Sequence, residues 1–192
     1  MFIVAQDYDT PPFALPNLDE VENSETFEDF VDEQEEEILR GLLGDVLYEA
    51  FIVGIDNDEE LIDQRWKDLR DGVSYDDEDG KSRRWKGVYK LLKPAIFARW
   101  LSVYPSTITG NGVVVVEGEN STAINPSIVI AEGQNEFFRI AGESQYQPST
   151  LYQYLYLSGE KYLADVATES DDIQDYVEEN FVSPGLDNEF DF

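Results

Sequence analysis

The chain has 192 residues with 42 acidic and 13 basic side chains, a formal net charge of −29 and a pI of about 4.1, a balance that excludes a basic phosphate-gripping surface as its main theme. It contains neither Cys nor His, which removes disulfides, thiolate chemistry, Cys/His zinc sites and His-dependent nucleophile systems together. A hydrophobic content of 42% and an aromatic content of 13% supply the apolar area that acidic disordered tails lack, so a folded, mainly single-domain chain is expected.

Charge is unevenly distributed. Residues 1–64 carry 20 acids and one base (Arg40), residues 65–99 carry 6 acids and 10 bases, and residues 100–192 carry 16 acids and 2 bases. The basic block either pairs with acids of its own fold or forms a face for the acidic surface of an identical neighbour.

In chain order, residues 1–22 predict an extended N-terminal arm, because Pro11, Pro12 and Pro16 each remove a backbone donor. A helix is predicted from residue 23 or 24, with Thr26 and Asp29 as a capping box. Its inner stripe is Phe27, Phe30, Val31, Gln34, Ile38, Leu42 and Leu43, and Glu28, Asp32, Glu33, Glu35, Glu36 and Glu37 form an acidic outer face. Gly44 ends or kinks it, and Asp45 caps a short second helix. A third, over residues 56–72, turns Leu61, Ile62, Trp66 and Leu69 inward and stops at Gly72.

Residues 73–81 read as a polar loop, and residues 82–103 as the clearest helix, either kinked at Pro94 or divided there. Residues 104–148 switch to β-branched runs split by Gly and Asn, predicting a β-hairpin or loop arm with strands at 113–117 and 127–131. Ser149 then caps a helix with an aromatic stripe of Leu151, Tyr152, Leu155, Tyr156 and Tyr162, and a last acidic helix reaches residue 180. Phe190 and Phe192 in the acidic tail, residues 181–192, read as a docking peptide. The fold class is therefore mainly α: a small helical bundle (residues 23–103, completed by 149–180) with an extended N-terminal arm, a β-hairpin/loop arm (104–148) and a C-terminal tail.

Chemical motifs are broken. An EF-hand reading with Gly80 as the turn glycine puts Tyr75 first and Lys86 twelfth, neither a calcium ligand. "GNGVVV" lacks a dinucleotide fingerprint's third Gly, and "GENST" lacks the Lys of a phosphate loop. The Asn120 sequon matters only on secretion. No signal peptide or 18-residue apolar run is evident, so no membrane association is expected. No catalytic, cofactor or metal residue is singled out.

The order of elements, with "ILRGLLGDVLYEAF", "RWKDLRDG", "WKGVYKLLKPAIFARWLSVY" and "LYQYLYLSGEKYL", resembles head-tail connector (adaptor, or head-completion) proteins of tailed bacteriophages over roughly residues 1–176. The turn at Leu43, Gly44, Leu47 and Tyr48 and the aromatic-basic helix carry the likeness. The resemblance implies a non-enzymatic virion protein, assembled in the host cytoplasm. It would form a ring of twelve copies at the neck, between portal and tail, lining the channel through which DNA leaves without specific binding. Arg83, Arg84, Lys86 and Lys90 are then the expected subunit-interface cations. Two alternatives compete: an acidic DNA mimic that inhibits a nucleic-acid-binding protein, and a carboxylate-based hydrolase.

Overall fold

The computed structural model describes residues 2–15, 21–56, 60–103, 113–115, 122–124, 126–167 and 169–182, with 21–25, 113–115, 122–124 and 126 described by backbone alone. The chain is mainly helical, and its helices carry short antiparallel hairpins. It divides into two compact units, one within Met1–Glu35 and Leu92–Phe137, the other within Glu36–Leu91 and Phe138–Phe190. The expected docking residues Phe190 and Phe192 lie outside the described residues.

In the first unit, helix α1 (Val21–Leu43) contributes its N-terminal half, α4 (Val88–Val103) its greater part, and α5 (Pro126–Ala141) all but its last turn. Strands β3 (Val113–Val115) and β4 (Thr122–Ile124) pair antiparallel with Val114 opposite Ala123. Helix α4 runs unbroken through Pro94, and almost every residue from Leu91 to Leu101 is buried, so packing on all sides offsets the backbone donor that proline removes. Only Val103 at its end is a large exposed apolar residue.

The N-terminal segment is packed rather than free. It makes a 3-10 turn over Ala5–Tyr8 and buries Ile3, Ala5, Tyr8 and Leu15. Tyr8 stacks on Phe97 at 6.4 Å, meets the edge of Phe27 at 5.3 Å, and donates its hydroxyl to the Lys93 carbonyl at 2.8 Å. Its anchor is Glu35, whose carboxylate accepts the Phe2 amide (2.8 Å) and the Ile3 amide (2.7 Å). The expectation that Glu35 belongs to the acidic outer face is thus corrected: it is only 4% exposed, because one wall of the helix must satisfy amides arriving from elsewhere in the chain. The rest of the predicted stripe holds, with Phe27, Val31, Ile38, Leu42 and Leu43 buried and Gln34 accepting from Arg99. Thr26 lies inside α1, which begins at Val21, and so is not its cap.

The second unit is built around the corner between α1 and α2 (Asp45–Ile55). Gly44 sits there at φ +72°, and a Cβ on it would lie 2.6 Å from the Tyr176 hydroxyl. That hydroxyl donates to the Leu43 carbonyl (3.0 Å) and accepts the Leu47 amide (3.2 Å), satisfying a helix end and a helix start at once. Asp45 is not the cap of α2; it pairs with Arg40 at 2.9 Å. Helix α3 (Gln64–Asp71) is shorter than predicted: Asp63 caps it by accepting the Arg65 amide, Trp66 and Leu69 face inward, and Leu61, outside the helix, is 73% exposed.

Further expectations are corrected here. Residues 74–76 and 82–84, read as loop and helix, are the strands β1 (Ser74–Asp76) and β2 (Ser82–Arg84), with Tyr75 opposite Arg83. Residues 127–131, read as a strand, belong to α5. Of the strand predicted at 113–117, Val113–Val115 is strand and the remainder lies outside the described residues. Helix α6 (Leu151–Ser158) is capped by Thr150, whose hydroxyl accepts the Gln153 amide, while Ser149 takes a left-handed φ of 66°. The chain ends its described course with a 3-10 turn (Gly159–Tyr162), α7 (Leu163–Val166) and α8 (Ile173–Asn180).

Candidate interaction surface

The second unit holds all four predicted interface cations within residues 83–90, from strand β2 to the first turn of α4. Hairpin β1–β2 is closed by Asp77, whose carboxylate accepts the Lys81 amide (2.8 Å), the Asp79 amide (3.0 Å) and the Arg83 Nε (2.7 Å). The ladder continues past the strands through paired bonds between Val73 and Trp85 at 2.9 and 3.1 Å. Gly72, at φ +90°, makes this approach possible, since a Cβ there would lie 2.5 Å from the Trp85 carbonyl. Trp85 itself is fully buried, donates Nε1 to the Leu69 carbonyl at 2.8 Å, and stacks on Tyr154 at 6.1 Å.

Strand alternation then sorts the cations by face. Arg83 shares a face with buried Tyr75 and is held by Asp77. Arg84 projects from the opposite face; only its amide is engaged, by the Ser149 hydroxyl at 3.4 Å. Lys86 follows buried Trp85, and Lys90 in the first turn of α4 lies over the Tyr89 ring at 5.3 Å. Arg84, Lys86 and Lys90 are exposed, and none has an ion-pair partner among the described residues. The other cations of this block behave differently: Arg65 pairs with Asp165, Arg70 with Asp71, and Lys81 with Asp79.

The amide from Lys81, chiefly, together with the adjoining Arg83 guanidinium, holds the Asp77 carboxyl below its ordinary range. A lowered folded pKa means the contribution is present above the usual carboxylate range and is lost as pH falls through the folded value. Asp77→Ala is therefore expected to lower Tm modestly at neutral pH, with the difference from the parent vanishing at strongly acidic pH; thermal unfolding across pH checks this.

Helix α6 reverses part of its predicted stripe. Leu151, Tyr154, Leu155 and Tyr162 are buried, whereas Tyr152 and Tyr156 are half-exposed and stack on each other at 6.1 Å. The Tyr154 hydroxyl donates to the Tyr162 oxygen (2.9 Å), because the Tyr162 hydroxyl itself donates to the Arg65 carbonyl (2.7 Å). Lys161 joins this group and pairs with Asp68 at 2.6 Å. Burial pushes the Tyr154 and Tyr162 hydroxyls up from their ordinary values and Tyr75 up to about 12. Tyr75 donates to Gln153 at 2.7 Å. These buried phenols are neutral hydrogen-bonding struts that fix α6 and its outward tyrosines.

The five tyrosines between residues 146 and 162 suit a protein-binding surface by sequence, but Gln145 was missed. Tyr146 is 77% exposed, and the Gln145 Oε1 is buried without a hydrogen-bond partner. Both border a depression of about 280 Å³ with Asp77, Glu78, Asp79 and Leu157; no local motif marks the depression, because it exists only where hairpin and helix meet. Among the described residues no group of three or more acids is placed to hold a metal ion, and no helix is long and apolar enough to cross a membrane. No family model, curated protein or solved structure matches this chain.

Proposed function

We propose that the chain is a structural link in the neck of a tailed phage, a head-tail connector. It forms a ring, of twelve copies by resemblance, between portal and tail around the DNA exit channel. The observation that carries this reading is the set of exposed cations Arg84, Lys86 and Lys90, without ion-pair partners among the described residues in a chain of net charge −29. In such a field a cation is easily neutralised by its own fold, and three left exposed within seven residues favour an acidic partner. A closed ring joins unlike faces of successive subunits, which a positive edge on an acidic body supplies. Carboxylates turned to a channel would repel phosphate and let DNA slide.

Electron microscopy of the purified protein, alone and with portal or tail assemblies, tests the reading. Rings that sit coaxially on a portal are expected. A species that stays monomeric on portal and tail, and instead abolishes a nuclease's activity on mixing, would replace the connector with the DNA mimic.

A further inference from the structure

The tyrosines of α6 and the depression beside them form a surface of acceptors. Tyr152 and Tyr156 stack, and Tyr152 meets the edge of Phe181 at 4.9 Å. The 280 Å³ depression has a neighbour of about 250 Å³, lined in part by Tyr156, Glu160, Asp171 and Asp172, and Leu157 borders both. Asp77 and Asp79 are taken by Arg83 and Lys81, but Glu78, Glu160 and Asp171 have no ion pair among the described residues. The lining therefore offers tyrosine faces and free carboxylates. Each of these attracts the same kind of group: a cation that carries several hydrogen-bond donors and no acceptor.

We propose that this surface receives the basic edge of a second copy, with Arg84, Lys86 and Lys90 of one molecule set against Glu78, Glu160 and Asp171 of the next. The inference rests on the ring reading above and names the two faces that would meet. Its support is charge complementarity within one chain, which carries three exposed cations without ion pairs among the described residues and, lining these depressions, three exposed acids equally without them. Geometry supports it as well. Arg83 borders the depression, whereas Arg84 leaves the hairpin on the other side, so one molecule cannot close the contact on itself through β2, and the pairing propagates head to tail. Tyr146 and Tyr156 add rings over which an ammonium or guanidinium settles.

A mixture of ¹⁴N and ¹⁵N protein, treated with a zero-length carbodiimide reagent at low salt, tests this. Mixed-isotope links are expected from Lys86 or Lys90 to Glu78, Glu160 or Asp171. Two charge-reversed proteins complete the test: one carries Arg84→Glu, Lys86→Glu and Lys90→Glu, the other Glu78→Lys, Glu160→Lys and Asp171→Lys. Each alone is expected to self-associate about tenfold or more weakly in sedimentation, and an equal mixture to regain the parent's association. Circular dichroism confirms that each variant is folded.

Intermolecular links elsewhere, with association unaffected by reversal, would overturn the inference and leave the ring intact. A protein that remains monomeric to about millimolar concentration without mixed-isotope links would overturn it too. The expected links in a closed dimer that never forms rings would keep the contact and overturn the connector reading.

Discussion

Replacing Trp85 by alanine is expected to cost about 3–5 kcal/mol of folding stability, a large share of the roughly 5–15 kcal/mol that holds a domain together. Trp85 is fully buried and stacked on Tyr154, so truncation leaves a void that the paired backbones at Val73 and Trp85 prevent from closing. The Leu69 carbonyl, in the last turn of α3, also loses the indole donor. Trp85→Phe keeps a ring and loses that bond, and should cost about 1–2 kcal/mol plus a small packing term. Urea unfolding of the three proteins gives the ordering. Because Arg84 and Lys86 flank Trp85 in sequence, the alanine variant should also weaken any association through the basic edge, measurable by sedimentation at a temperature where it remains folded.

The second large effect is expected at Glu35. Glu35→Leu removes the acceptor of the Phe2 and Ile3 amides, and each buried unpaired donor costs about 1–3 kcal/mol. Relief of the buried charge offsets part of this, leaving a net loss of about 2–3 kcal/mol. The loss is local. Residues 2–15 should become susceptible to protease and exchange their amides rapidly, while the second unit keeps its protection.

Its pH dependence has a definite sign. Burial pushes the Glu35 carboxyl above its ordinary range, more than the two amides pull it down. A carboxyl raised in the folded state contributes stability that is fully present below the ordinary carboxylate pKa and is lost as pH rises through the raised folded value. The parent should therefore lose stability over that interval relative to Glu35→Gln, whose side chain does not titrate. A difference that stays constant across it would disprove the assignment.

Several elements were legible without coordinates because their signals are local. The stripe of α1 recurs at helical spacing through Phe27, Val31, Ile38 and Leu42, and Gly44 marks a corner that only a residue tolerant of positive φ can turn. Trp66 and Leu69 announced the inner face of α3 in the same way. The cluster of cations at residues 83–90 was equally plain, although which of them face outward was not.

Other features depend on partners far away in the chain. Nothing within Glu33, Glu35, Glu36 and Glu37 distinguishes the one that is buried; the distinction comes from amides more than thirty residues distant. Ile128, Val129 and Ile130 carry strand propensity, yet they lie in α5, where Gly133 lets the helix pass with a would-be Cβ 2.9 Å from the Pro94 carbonyl and 3.1 Å from Ala98. Residues 82–84, read as the start of the helix over 82–103, form a strand because residues 74–76 offer a ladder. Local periodicity and backbone stereochemistry thus determined the mainly helical class and the position of the basic block. Tertiary structure decided which charges were buried, paired or left free, because desolvation and hydrogen bonding depend on neighbours in space, and those neighbours arrive only when the chain has folded.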